Sequence, residues 1–583
     1  MAAVLAALGH RIPRLLANAL SIATAAAVGW MAVTLLLAKP LVYWFSGWAV
    51  VAGKAIGISF APDAAGAAMV AMASLLTLAS LIFSSRYFDT VGTLYQSLML
   101  VFLAAMAGFG LTGDLFNLFV FFELMSAAAF ALCGYKSEEA GPLQGALNFA
   151  VTNAAGAYLV LSGIGLLYGR TGALNMAEIG RRLAEGRPDA LVTGALTMIS
   201  CGFLVKAAVA PFHFWLADAH AVAPAPVCVL FSGIMVPLGL YAVVRIYWAI
   251  FSGALAGHQA DLRNLLAVIG VATAVVGAVM CYAQRHFKRL LAFSTISHIG
   301  IMLMGAAILT REGLAGTGVY AVSHGLVKGG LFLAAGIVLH RTGTVDELEL
   351  RRMRHGVSWL AAPVFVGAAG LAEVPPFGTF RGEALMSAST QALGYGWLEW
   401  VKFGAAVVTA GAVLRFAAGA LLGWGRTPDE EGHEIPERPE TQGGHRHTPA
   451  VMWVPATALI VLGLLAGMVP GITSEAEKAA AQVKDRAAYA ARVLEGATVA
   501  SAVATATPVN AGECARGFGA LAAAVLLAFI SLRPQRKERR LHRLWRGAMR
   551  PLRDLHSGVI PDYVTWLLLG TALFGGAALM WVR

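Results

Sequence analysis

Apolar residues in this chain run unbroken for about twenty positions and then give way to short polar stretches. They show neither the alternation of a strand nor the one-sided stripe of a soluble amphipathic helix. At about 1.5 Å per residue such a run crosses the roughly 30 Å hydrocarbon layer of a bilayer as a helix. The runs predict an all-α polytopic membrane protein with about fifteen spans, at 15–38, 63–85, 94–112, 115–135, 143–169, 189–210, 222–250, 262–283, 289–309, 314–340, 357–394, 399–423, 449–471, 517–532 and 560–581. The first follows Arg11 and Arg14, is too long for a signal-peptide core, and reads as an uncleaved anchor. Residues 425–448 are rich in Glu, Pro and His and read as a polar linker, with His433, His445 and His447 solvated rather than holding a metal. Residues 474–496 place charges at helical spacing among alanines, which predicts a helix lying on a membrane surface. The chain thus divides into an anchor and loop (1–62), two repeat regions (63–250 and 251–424), the linker (425–448), a closing helix (449–471), a surface segment (472–516) and two further C-terminal helices (517–583).

Composition narrows the class. Of 583 residues 58% are hydrophobic and 13% charged, about half the charged share of a soluble domain. The five cysteines, Cys133, Cys201, Cys228, Cys281 and Cys514, are scattered without a C-x-x-C, so this chain holds no iron–sulfur cluster or structural zinc of its own. A phosphate-binding G-x-x-x-x-G-K-[ST] loop is also missing. No cofactor is expected.

The formal net charge is 43 − 32 = +11, yet it does not point to nucleic acid. From Arg533 to Arg553 nine Lys/Arg face one acid, Glu538, so +8 lies in one short loop between two spans. Arg285, Lys288 and Arg289 follow the eighth span, and Arg341, Arg351, Arg352 and Arg354 follow the tenth. All three clusters follow even-numbered spans and mark one face, the cytoplasmic one by the positive-inside rule. That puts the N-terminus inside and the C-terminus outside a cell membrane, as expected of a bacterial inner membrane.

Charge within the spans carries the chemistry. A charged side chain at mid-bilayer costs about 2.5–3.5 kcal/mol on insertion scales and marks a functional position. Four spans contain such groups: Glu123; Lys206, five residues before Pro211; His324 with Lys328, one turn apart on one helix face; and Glu383, after Pro375, Pro376 and Gly378. Pro211 and the Pro375–Pro376 pair break their helices by removing backbone donors. The breaks fall in the sixth and eleventh spans, and an odd offset of five inverts the second copy, the pattern of an inverted-repeat transporter. Such groups suit protons, since burial favours the neutral form of a lysine or a carboxyl and a nearby opposite charge restores the ionised one. His213, His220 and His298 are further candidates for proton uptake or relay.

The runs TGDLFNLFVFFE (112–123), KAAVAPFHFWLADAHAVAPAPV (206–227), HFKRLLAFSTISHIG (286–300), SHGLVKGGLFL from Ser323 and PPFGTFRGEAL (375–385) resemble the proton-conducting antiporter-like subunits. That family comprises the large D-type and A-type subunits of Mrp cation/proton antiporters and the corresponding membrane-arm subunits of complex I and membrane-bound hydrogenases. TGDLFNLFVFFE is most similar to the D type. The resemblance implies two inverted five-helix repeats, each with a half-membrane proton path. It also implies an ion pair of Glu123 with Lys206, a central His324 and Lys328, and a terminal Glu383. Three departures stand out. The family's first helix has no counterpart, Pro237 replaces the usual lysine or histidine of the eighth helix, and two C-terminal spans are added. With Pro237 there, the relay from Lys206 to His324 would use water and the hydroxyls of Ser294, Thr295 and Ser297.

The expectation is therefore a proton-translocating subunit of a multisubunit cation/proton antiporter, with Na⁺ as the exchanged ion, other membrane subunits as partners, and no enzymatic role. The same fold within a redox-driven complex is the first alternative. A non-conducting scaffold, motivated by Pro237, is the second.

Overall fold

The computed structural model describes residues 1–88, 92–186, 188–353, 356–425, 447–497, 510–533, 552 and 555–581. Most of the 425–448 linker, with His433 and His445, lies outside the described residues, as do Arg354 and most of the basic loop. Twelve described helices are long and apolar enough to cross a membrane. The spans expected at 189–210, 357–394 and 449–471 are shorter or interrupted, so a count of fifteen rests on them. Each expected span does coincide with helix.

Two five-helix units recur with the same internal details. The first runs from Thr93–Leu111 through Leu115–Cys133, Ala140–Thr171 and a broken fourth helix to the fifth, 225–251. The second runs from Gln259–Ala283 through Phe287–Ala307, Arg311–Thr342 and another broken helix to 398–421. In both, the third helix has 32 residues and ends on a glycine with positive φ, Gly172 at 63° and Gly343 at 76°, where a side chain would be strained. A short amphipathic helix follows in each, Met176–Ala184 after the cap Asn175 and Glu347–Arg352 after the cap Asp346. The caps also bridge back to the start of the second helix, Asp114 with Asn175 and His286 with Asp346. Both fifth helices end in a single wide turn, at Tyr247–Phe251 and Ala417–Leu421.

The fourth helices break alike. Ala190–Lys206 gives way at residues 207–213 to Phe214–Val222, and Ala361–Leu371 gives way at 372–377 to Gly378–Ala392. In each break one non-glycine residue adopts positive φ, Ala208 at 51° and Glu373 at 58°, a costly geometry held by its surroundings. The long third helices brace them through glycines. A Cβ on Gly202 would lie 2.4 Å from the Gly156 carbonyl oxygen, and one on Gly382 2.6 Å from that of Gly316.

Short elements dress one face. Residues 43–60 form two small hairpins, Tyr43–Trp44 with Ser59–Phe60 and Val50–Val51 with Lys54–Ala55. Helix Pro470–Lys484 turns away from Ala450–Leu465 by 73° and, with Arg486–Glu495, lies on this hairpin face. There Gln482 accepts from the Ala64 amide at 3.1 Å, and Arg486 donates to the Gly180 carbonyl at 3.0 Å. The opposite face carries the described ends of the basic segments.

The last two helices, Ala511–Leu532 and Ile560–Leu579, each lie over one break. A Cβ on Gly517 would sit 2.6 Å from the Glu373 carbonyl oxygen and 3.0 Å from Pro375, and one on Gly570 2.6 Å from both Pro211 and Phe212.

Candidate functional site

Lys206 ends the first half of its broken helix and is fully buried. Its ammonium donates to the Ser126 hydroxyl at 2.6 Å and lies 4.6 Å from the centre of the Phe122 ring. Ser126 is three residues beyond Glu123 on Leu115–Cys133, so the helix presents both toward the lysine. The expected direct ion pair is not closed: no Glu123–Lys206 contact falls within 4.0 Å, and Glu123 Oε1 has no hydrogen-bond partner. Asp114, nine residues upstream, caps the helix by accepting from the Asn117 amide at 2.8 Å.

Pro237 follows a five-residue wide turn at Phe231–Met235. That turn presents Ser232, whose hydroxyl meets Thr295 at 2.6 Å on the second unit. Lys328, also fully buried, donates to the Leu291 carbonyl at 2.7 Å and to Ser294. Thr295 and Ser294 thus face the row. Ser297 does not, since it donates to the Ala274 carbonyl at 2.9 Å and serves helix packing. His220 is held by the Leu216 carbonyl at 2.9 Å, its Nε2 buried and unpartnered, within electrostatic reach of both Lys328 and Lys288.

In the second unit the His324 ring lies beside His298, with centroids 5.1 Å apart, and neither of its nitrogens has a partner. His298 continues the row: Nδ1 meets the Tyr320 hydroxyl at 2.6 Å and Nε2 meets Thr409 at 3.1 Å. Tyr320 in turn donates to Glu373 at 2.8 Å. Next comes a charged cluster in which Lys402 lies 3.0 Å from Glu383 and 3.1 Å from Glu399. Glu399 also accepts from Ser387, from Thr390 and, at 2.6 Å, from Arg516. A cavity of about 30 Å³ opens among Glu373, Glu383, Glu399, Glu513 and Arg516, enough for one or two waters.

Lys328, His324, His298 and Glu383 therefore lie along one interior row of the second unit, while Lys206 is buried in the first unit with Glu123 at its edge. His213 lies apart on the basic face, 3.1 Å from His556; His556 is within electrostatic reach of Asp218, which accepts from Tyr563 at 2.7 Å. The expectation that only four spans hold interior charge is corrected. Lys288 and Lys402 are fully buried, and Glu373 and Glu399 nearly so. Asp63 and Arg245 also pair at 2.5 Å near the hairpin face. These groups stand within a few residues of a helix end or break, where sequence alone reads a charge as reaching for the interface.

Residues 112–409 match the family described as NADH:quinone oxidoreductase/Mrp antiporter, transmembrane. The chain belongs to that family and is a multi-pass membrane protein. Over 333 residues it is 34% identical to the N-type subunit of the NADH-quinone oxidoreductase of Desulforudis audaxviator, across 56% of this chain and 64% of that one. It is likewise 34% identical to the D-type subunit of the Na(+)/H(+) antiporter of Alkalihalophilus pseudofirmus, across 56% of this chain and 65% of the relative. The chain thus spans a little under two thirds of those two relatives. A chain in the structure of the Mrp complex from Dietzia sp. DQ12-45-1b superposes with a TM-score of 0.74 at 26% identity, covering 85% of this chain and 97% of that one. A chain of respiratory complex I from Thermus thermophilus shares the fold, with a TM-score of 0.66 at 22% identity.

Proposed function

We propose that this chain is a proton-translocating membrane subunit of a multisubunit cation/proton antiporter, with Na⁺ as the exchanged cation. The observation that carries the reading is that both five-helix units bury ionisable groups, Lys206 in the first and a row from Lys328 to a water-sized cavity in the second. Protons enter each unit from the basic, cytoplasmic face; the first unit holds them at Glu123 and Lys206 and the second at Lys328, His324 and Glu383. Ser126 stands between Glu123 and Lys206, so a rotation of one side chain makes or breaks their contact. Closing it favours a charged Lys206, and opening it favours release of the lysine's proton toward the hydroxyls of Ser232 and Thr295. In the second unit the His298–Tyr320–Glu373 chain carries the charge to Glu383 and Lys402. The hairpin face is the outer one, so release is outward. The N-terminus is cytoplasmic and the C-terminus outside a bacterial cell membrane.

A second reading is supported by the 34% identity to the N-type subunit of an oxidoreductase: the same row as one pump of a redox-driven complex. Mass spectrometry of the chains that co-purify from native membranes separates the two. Small membrane proteins without redox centres support the antiporter, and an iron–sulfur or nickel protein overturns it. Glu123→Gln or Lys206→Ala should then abolish cation-driven proton flux in vesicles while leaving the complex assembled. Normal flux in both variants would instead support a non-conducting scaffold.

A further inference from the structure

The cluster at the end of the row is built from four elements, and one of them lies outside both five-helix units. The break supplies Glu373, helix Gly378–Ala392 supplies Glu383, helix Leu398–Phe416 supplies Glu399 and Lys402, and the later helix Ala511–Leu532 supplies Glu513 and Arg516. Tyr320 of Arg311–Thr342 completes the set of titratable groups that face it.

Arg516 is fixed within this cluster. One guanidinium nitrogen donates to Glu399 at 2.6 Å and to Ser387 at 2.9 Å. Its helix is seated by Gly517 against the Glu373 carbonyl and opened by a capping box, in which Glu513 accepts from the Asn510 amide at 3.0 Å and Asn510 accepts from the Glu513 amide at 2.8 Å. That box and the positive end of the helix account for the Glu513 carboxylate. The remaining acids are Glu373, Glu383 and Glu399, and they share two cations. With Arg516 also on Glu399, that carboxylate does not take Lys402 for itself: Lys402 stands 3.1 Å from Glu399 and 3.0 Å from Glu383. Were Arg516 absent, Glu399 would claim Lys402, and an ionised Glu383 would be a buried carboxylate with no counter-charge, which is costly.

We propose that Arg516, on a helix appended after both repeats, is a positioning residue for outward proton release: by sharing the charge of Glu399 it lets Lys402 stay divided between Glu399 and Glu383, and so stabilise Glu383 once Glu383 has given up its proton. The appended helix is then a working part of the release site. The Arg516 charge also reaches Glu383 across the cavity.

This inference deepens the antiporter reading and rests on it for the direction of transport, but its test does not require transport. In the purified full-length protein, the protonated-carboxyl infrared band is followed against pH, and the difference from Glu383→Gln isolates Glu383. Arg516→Gln should move the loss of that signal upward by about one pH unit or more, and Arg516→Lys should restore most of it. Glu399→Gln should move it the opposite way, because both cations then serve Glu383; a merely structural role for Arg516 would not produce opposite signs. If Arg516→Gln fails to fold, Arg516→Lys and Glu399→Gln still decide the matter. An unmoved signal in folded Arg516→Gln, or equal shifts of one sign in Arg516→Gln and Glu399→Gln, overturns the inference. Where proton flux is measurable, its pH profile should follow the same shifts. A wild type that carries no flux but shows them defeats the antiporter reading alone.

Discussion

Lys402 divides one buried ammonium between two carboxylates, at 3.0 and 3.1 Å. Removing it by Lys402→Ala leaves both acids short of a counter-charge and should cost about 3–5 kcal/mol, read as a lower thermal midpoint in detergent. Adding Glu383→Gln to that variant should recover part of the loss, and strict additivity would show that the contact carries no energy. Tyr320 is the other sensitive residue, since its hydroxyl alone joins His298 to Glu373. Tyr320→Phe should cost about 1–3 kcal/mol and lower proton flux by about a hundredfold; flux within twofold of wild type would place the path elsewhere. Glu123, Lys206, His324, Lys328 and Glu383 stand out in the sequence as ionisable residues within expected spans, where the cost of insertion draws attention to them. Lys402, Glu399 and Glu373 do not, because at a helix end the same letters describe a charge bound for the interface. Tyr320 read as an ordinary aromatic core residue.

At the scale of helices, the broken fourth helix stays where it is because glycines let the long third helix approach its backbone. Gly202→Val would drive a side chain into the Gly156 carbonyl, 2.4 Å from the Cβ position. It should destabilise the protein by about 1–3 kcal/mol or more and displace Lys206 with its helix. Gly194 of the same helix has nothing within 4 Å of a Cβ, so Gly194→Ala should be neutral or stabilising by up to about 1 kcal/mol. Matching thermal midpoints for Gly202→Val and Gly194→Ala would refute the packing argument. Apolar run length located every long helix, and proline located both breaks. The two-residue strands of 43–60 and the short helices at 176–184 and 347–352 escaped notice because elements that brief carry too few positions for a period to show. The wide turn ahead of Pro237 was equally hidden, although it delivers Ser232 to Thr295.

For the whole molecule, the two units could be a complete transporter in outline, yet each is finished by a helix from outside it. Deleting residues 510–583 should lower the thermal midpoint and abolish flux even though every residue of both repeats remains; a truncated protein with normal flux would count against any role for the C-terminal helices. The seating of Gly517 and Gly570 on the two breaks also bears on biosynthesis. Non-helical backbone survives at membrane depth only where protein or a water-lined cavity surrounds it, and the helices that lie on these breaks are translated after all ten helices they help to complete. A nascent chain therefore inserts both repeats with one side of each break still uncovered, and closes that side only when Ala511–Leu532 and Ile560–Leu579 have followed. A chain interrupted before that moment would offer membrane quality control two uncovered flanks, at Pro211–Phe212 and at Glu373–Pro375, by which to recognise it as unfinished.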